Sequence, residues 1–282
     1  MTLLIQFLLR LSFGLATGMA ITSSKQVTSG YFRNHLYVTL GLTSFAAVLS
    51  HQFAPEAFWY AVAAAAASYV GAVGWLYEKA TFGKTLLVLV TLCSLLGTLQ
   101  PMERAADSAE QASTQPVTAA SNEPRTTPAS DDELAEDSHS DSQADTLQIP
   151  ARISSGLLLG LTIASMLLGH WYLNSPTMEM APLRRLLLAM AAAVALRVVL
   201  ASLGLWGELA YAPSVSGQWL AFVVLRWSFG LVGVAVLAWM AWQTLKIPNT
   251  QSATGILYVA VIGTFVGETM ALLLSSESLF PL

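Results

Sequence analysis

A chain of 282 residues that is 55% hydrophobic and only 11% charged carries too little charge to cover a water-soluble surface, so lipid must solvate much of it. The charge is uneven: residues 101–150 hold eleven acids against two arginines, a net of −9, while the other 232 residues carry six acids and eleven bases, a net of +5. Cys93 is the lone cysteine, which excludes an intramolecular disulfide and a cysteine-built metal site.

A bilayer core of about 30 Å takes about 20 apolar residues in a helix. The first such run covers residues 2–23. It lacks a basic leading segment and holds Arg10 within its apolar stretch, so it reads as a transmembrane helix and not a cleaved signal. Gly14 and Gly18 put small residues on one face. The second run, 36–53, follows a loop with Lys25 and Arg33. The third, 57–77, carries the small-residue stripe Ala63, Ala67 and Gly71, and the fourth, 85–100, follows Lys79 and Lys84. Stripes of this kind let helices approach where lipid offers no hydrophobic drive. They are expected to pack the bundle, with a subunit interface as the functional alternative.

Residues 101–149 are rich in Ser, Thr, Ala, Gln, Pro, Asp and Glu with almost no large apolar side chain, a composition that predicts a disordered acidic loop. The run Asp131–Asp141 with His139 offers loose cation ligands, but a solvated, self-repelling linker is the favoured reading. Four more spans follow at 153–173, 185–206, 218–245 and 254–275. Their connections hold Arg184 and Arg185, then Glu208, then Lys246. Polar turn-forming strings, Thr28-Ser29-Gly30, Asn174-Ser175-Pro176-Thr177 and Pro248-Asn249-Thr250-Gln251-Ser252, suit tight helix connections.

The loops after spans 1, 3, 5 and 7 are basic, and those after spans 2 and 6 have neither Lys nor Arg. The positive-inside rule then predicts an eight-span, multi-pass protein of the cell membrane, with both termini and the acidic loop outside. Trp and Tyr gather at the expected span ends, as at Trp75, Tyr77, Trp171, Trp59 and Trp219.

One string recurs. Arg10-Leu11-Ser12-Phe13-Gly14-Leu15 returns as Arg152-Ile153-Ser154-Ser155-Gly156-Leu157 and as Arg226-Trp227-Ser228-Phe229-Gly230-Leu231. Each copy lies in the outer part of a span running inward, so the expected fold is an all-α bundle of about four same-facing helical hairpins.

Four charges fall inside spans: Arg10, Arg197, Arg226 and Glu268. Such groups are costly in hydrocarbon and are candidate ligand-binding residues by default. Arg226 lies about 30 Å from Lys246, and Glu268 about 28 Å from Asn249, which puts both at the outer interface, where snorkelling makes charge cheap. Arg197, about 18 Å beyond Arg185, falls near mid-bilayer and is the charge least explained by an interface. It would either be satisfied by helix carbonyls, hydroxyls or Glu268, or join Arg10 in binding an anion or carbonyl oxygen, as in a lipid phosphate or quinone head. Three Arg against one Glu leave a formal +2 for such a ligand to neutralise. His35 and His170 share one end of the bundle and are weak haem candidates. His51 is at the other end, so a stacked two-haem pattern is missing.

No phosphate-cradling loop, dinucleotide fingerprint or His-Glu-x-x-His occurs, and no nucleophile has an evident base, so the sequence favours no enzyme. In outline the chain resembles the membrane anchors of polysulfide-reductase-like and dimethyl-sulfoxide-reductase-like complexes, with no shared motif to carry residues across. The expected function is a non-catalytic membrane subunit or scaffold with a quinone or lipid site and a membrane or peripheral protein partner. The alternative is a passive or secondary carrier of a small anion using the same arginines.

Overall fold

The computed structural model describes residues 1–100, 131–175, 178–211, 217–247, 249–278 and 281, with the side chains of 131–146, 211 and 276–277 left undescribed. Among the described residues every regular element is helical. In chain order they are α1 (Thr2–Ile21), α2 (Ser29–Phe53), α3 (Pro55–Leu76), α4 (Ala80–Leu99), α5 (Asp131–Asn174), α6 (Ala181–Tyr211), α7 (Gly217–Leu225), a π-helical segment (Arg226–Gly233), α8 (Val234–Lys246) and α9 (Thr250–Glu277). Helix α7, the π segment and α8 run on without a break as Gly217–Lys246.

Seven of these helical stretches are long and apolar enough to cross a membrane. The eighth long helix, α2, has the length but is diluted by Arg33, Asn34, His35 and His51. Large apolar side chains such as Val48, Leu188, Val236 and Ile262 are exposed on the outer faces, where water would be a poor solvent for so many. The protein is thus a helical bundle of membrane type.

Local chemistry explains where the helices start and stop. Pro55 opens α3, where its missing N–H and fixed φ cost nothing. The Asn249 side chain accepts from the Ser252 N–H at 3.0 Å and caps α9. Helix α2 begins at Ser29, ahead of the apolar run at 36–53, and so takes in Arg33 and His35. Likewise α5 reaches back to Asp131, past Pro150, beyond the apolar run that starts at 153. Helical hydrogen bonding continues past the lipid-facing portion, and hydropathy sees only that portion. The acidic segment 101–130 and the side chain of His139 lie outside the described residues.

The turn between α3 and α4 carries a strained residue. Glu78 has φ 57°, while Lys79 N–H donates to the Gly74 carbonyl at 3.0 Å and Glu78 N–H to the Trp75 carbonyl at 3.2 Å. This is the helix stop that usually carries glycine in the left-handed position. Replacing Glu78 with glycine should stabilise the protein by about 1 kcal/mol, read as a higher thermal midpoint in detergent; a lower midpoint would count against this reading of the turn.

The helices close into two rings. Helix α1 packs on α2, α2 on α3, α3 on α4, and α4 back on α1; α5 packs on α6, α6 on α8, α8 on α9, and α9 back on α5. The rings meet chiefly through α1 and α5. These two are the most buried: 72% and 67% of residues in their most apolar stretch are covered, against 28% to 44% in the other five spanning-length helices.

Glycine makes that central contact. A Cβ on Gly14 would lie 1.8 Å from the Gly156 carbonyl oxygen, and one on Gly160 would lie 1.8 Å from the Gly14 carbonyl carbon. Gly18 meets Ala164 further along, so α1 and α5 run parallel. The small-residue faces of α1 and α5 therefore pack one half of the chain on the other. In the third copy of the repeat, Gly230 meets Gly267 of α9, and Gly263 meets Phe229 and Val234; that pair runs antiparallel. In all three copies the glycine marks a close helix crossing.

Candidate functional site

The arginine of the repeat has three different fates. Arg152, on α5, donates to the Gln100 carbonyl at the end of α4 (2.8 Å) and to Gln148 (3.2 Å). A cation there satisfies a helix C-terminus and complements its dipole. Arg10, on α1, sits across the glycine crossing from α5 and donates to Ser155 Oγ at 3.5 Å, a long bond that leaves its Nε without a partner. Arg226 starts the π segment, is 2% exposed, and has no hydrogen-bond partner on Nε, Nη1 or Nη2.

Arg197 and Glu268 join this group from α6 and α9. The pair is bidentate: Arg197 Nε donates to Glu268 Oε1 and Nη2 to Oε2, both at 3.0 Å. Each residue is 2% exposed. The fork geometry matches a planar guanidinium to a planar carboxylate. It uses one edge of Arg197 and leaves Nη1 unpartnered. The Glu268 carboxylate also feels Arg226 and faces Ser155, and Arg10 feels Arg197, Arg152 and Glu268 electrostatically. Arg226 in turn feels Arg197 and Glu268.

All four charges singled out from the sequence therefore meet in one buried cluster, although they come from α1, α6, the π segment and α9. Their depth agrees. At 1.5 Å per residue, Arg10 lies roughly 12 Å inside the start of α1, Arg226 roughly 14 Å inside α7, and Glu268 roughly 14 Å before the end of α9. The formal sum of Arg10, Arg197, Arg226 and Glu268 is +2, and no side chain on the described residues neutralises the remainder by an ion pair.

One expectation is corrected. Arg226 and Glu268 do not snorkel at the interface; they point into the bundle and are covered. Arg197 takes Glu268, one of the partners anticipated for it, whereas Arg226 has no hydrogen-bond partner. Depth along a helix does not reveal which face meets a neighbour. Ser155 was not anticipated as part of the cluster. Its signal lay in the repeat itself, since Ser155 stands where the other copies have Phe13 and Phe229.

The segment that carries Arg226 is wound as a π-helix. An eight-residue π segment changes the angular spacing of side chains relative to an α-helix, and such segments recur at functional sites. Within it Arg226 and Gly230, four residues apart, are both buried: Gly230 touches Gly267, and Arg226 feels Glu268, which follows Gly267 in the chain, electrostatically.

The histidines face other partners. His35 Nδ1 bonds the Tyr31 carbonyl of its own helix at 2.5 Å, and its ring lies 6.4 Å from that of Trp171. His170 meets the Tyr258 hydroxyl of α9 at 3.3 Å, and His51 packs edge-on against Phe58. His35 belongs to an aromatic cluster with Tyr31, Phe32 and Trp75, in which Phe32 stacks on Trp75 at 4.3 Å. Among the described residues, no group of three His, Cys, Asp or Glu could hold a metal ion.

At this end of the bundle the connections are tied to each other. Trp171 Nε1 donates to Thr28 Oγ1 (3.0 Å), Gln26 Nε2 to Glu179 (2.5 Å), and the Tyr172 hydroxyl to the Glu179 carbonyl. Arg184 donates to the Leu245 carbonyl at 3.0 Å. At the end nearer the arginine cluster, Trp219 Nε1 donates to Ser278 Oγ at 3.1 Å and links α7 to the end of α9. Compared with known families, curated proteins and solved structures, the chain matches none, so the reading of the cluster rests on its own geometry.

Proposed function

We propose that this is an eight-span protein of the cell membrane whose arginine cluster binds an oxyanion group, and that it acts as a non-catalytic membrane subunit or scaffold built around that ligand. The observation that carries the reading is Arg226, a covered guanidinium whose three nitrogens all lack a hydrogen-bond partner. Leaving buried donors unmade costs about 1–3 kcal/mol for each group and more when the group is charged. A fold that retains this cost, beside a second arginine with a free Nη1, is organised for a ligand that accepts hydrogen bonds and brings negative charge. The formal +2 favours a phosphate or carboxylate over a neutral carbonyl such as a quinone head.

Binding is testable with inorganic phosphate as the probe. Titrated into the purified full-length protein in neutral detergent, it should change tryptophan emission saturably, because Trp227 adjoins Arg226. Substituting Arg226 by glutamine should weaken the apparent affinity roughly tenfold to a hundredfold, the loss of charge-assisted hydrogen bonds. Equal affinity in the two proteins would reject the site.

In the membrane, α2 supplies the eighth span, and the basic short loops support a cytoplasmic placement for the connections after α1, α3, α5 and α8. Reporters fused at residues 125 and 180 should then fall on opposite sides, and a shared side would overturn the topology. As a subunit the protein should co-purify with a soluble partner. Anion uptake by vesicles containing only this protein would instead identify a carrier.

A further inference from the structure

Helices α6 and α8 do not close fully on each other. Between them lies a cavity of about 240 Å³, lined by Leu187, Ala191, Val194, Ala235, Ala238 and Trp242 among others. Its walls are almost wholly apolar, and Ala191 and Ala235 are exposed at its mouth. In a bilayer that mouth opens sideways onto lipid, not onto water. Small residues on both helices create the space, where leucines would have filled it.

The groove leads toward the arginine cluster. Val194 stands three residues before Arg197 on α6, so the cavity wall ends about one helical turn, roughly 5 Å, below that arginine. On the opposite wall, Ala235 stands nine residues after Arg226, with the π segment Arg226–Gly233 and Val234 leading from one to the other. The cluster itself is covered, with Arg197, Arg226 and Glu268 each 2% exposed. A hydrated free anion would have to shed its water to enter. A ligand that carries an apolar chain can approach through the lipid instead and leave the chain in the groove.

We propose that the α6–α8 groove holds an acyl chain of an anionic phospholipid whose phosphate is bound by Arg226 and Arg197. This rests on reading the cluster as an oxyanion site and adds the identity of the ligand and its lateral route of entry. The charge complementarity is direct: an excess of +2 at the head of an uncharged groove suits a lipid with an anionic head and discriminates against one whose head group also carries a cation. A chain in the groove would lie against Trp239 and Trp242, whose rings border the cavity.

The test compares full-length wild-type protein with three variants: Ala191→Phe combined with Ala235→Phe, which fills the groove from its lipid-facing side; Ala192→Phe, which adds the same bulk on an exposed neighbouring position outside the lining; and Arg226→Gln. Each is purified in neutral detergent, mixed with micelles containing phosphatidylglycerol or phosphatidylcholine, and examined by native mass spectrometry for retained lipid. Wild type and Ala192→Phe should retain phosphatidylglycerol and not phosphatidylcholine. The groove-filled protein should lose phosphatidylglycerol by about tenfold or more while still binding inorganic phosphate, and Arg226→Gln should lose both. Full retention of phosphatidylglycerol in the groove-filled protein, or equal retention of the two lipids by wild type, would overturn the lipid assignment. Undiminished phosphate binding by Arg226→Gln would overturn the oxyanion site itself, so the two failures are distinguishable.

Discussion

Replacing Glu268 with leucine will destabilise the protein by about 3–5 kcal/mol, the usual consequence of stranding a buried charge. Glu268 is the acid that the arginine cluster depends on: it holds both edges of a bidentate bond to Arg197 and sits within the field of Arg226. Its removal would leave three guanidinium groups facing each other in a covered site, and the formal charge would rise from +2 to +3. The double variant Arg197→Met with Glu268→Leu should be milder than either single change, because removing both partners leaves no orphan between them. Denaturant or thermal unfolding in detergent, followed by tryptophan emission, measures all three. A single Glu268→Leu variant as stable as the double would show that the pair is not what balances the cluster.

The second large effect is steric. In the variant Gly160→Val, the new Cβ would stand 1.8 Å from the Gly14 carbonyl carbon and 2.1 Å from the Leu15 nitrogen. Both are backbone atoms, with no flexible side-chain end that could move aside. Helices α1 and α5 must then separate, and the two four-helix rings lose their main contact. A loss of about 3 kcal/mol or more is expected, at the upper end of overpacking effects. Gly41 and Gly255 serve as internal controls, since a Cβ at either meets nothing within 4 Å. Changing them to alanine should be neutral or stabilising by roughly 0.5–1 kcal/mol. Similar midpoints for Gly160→Val and Gly41→Ala would mean the crossing is looser than these distances require.

Much of the fold was legible because lipid imposes a strong pattern on sequence. The apolar runs located the long helices, and the charges inside them marked the candidate site, since a charge in hydrocarbon is rarely retained without a partner or a ligand. What the runs could not convey was the neighbour of each face. Arg197 and Glu268 are 71 residues apart, and no local rule pairs them. The same blindness put Arg226 at a water interface, when its helix turns it inward. The repeat was more informative than it first looked. Its glycines on α1 and α5 lie at the crossing of those helices, and Ser155, where the other copies have Phe, lies inside the cluster. Helix ends were the weakest point, at α2 and α5, because polar residues continue a helix beyond the apolar part that betrays it.

The parallel contact between α1 and α5 also sets a timetable for assembly. Gly160 follows Gly14 by 146 residues, and chains elongate at about 5–20 residues per second, so roughly 7–29 s pass before the partner face of α1 has been synthesised. Throughout that interval α1 is already made, with Arg10 and its glycine face uncovered and only α2 to α4 available as shelter. The first ring can form early, but its joining to the second is a late event that waits on synthesis of the whole acidic segment. Nascent chains arrested before residue 150 should therefore expose α1 to crosslinking from lipid or from the insertion machinery, and chains extended past α9 should not.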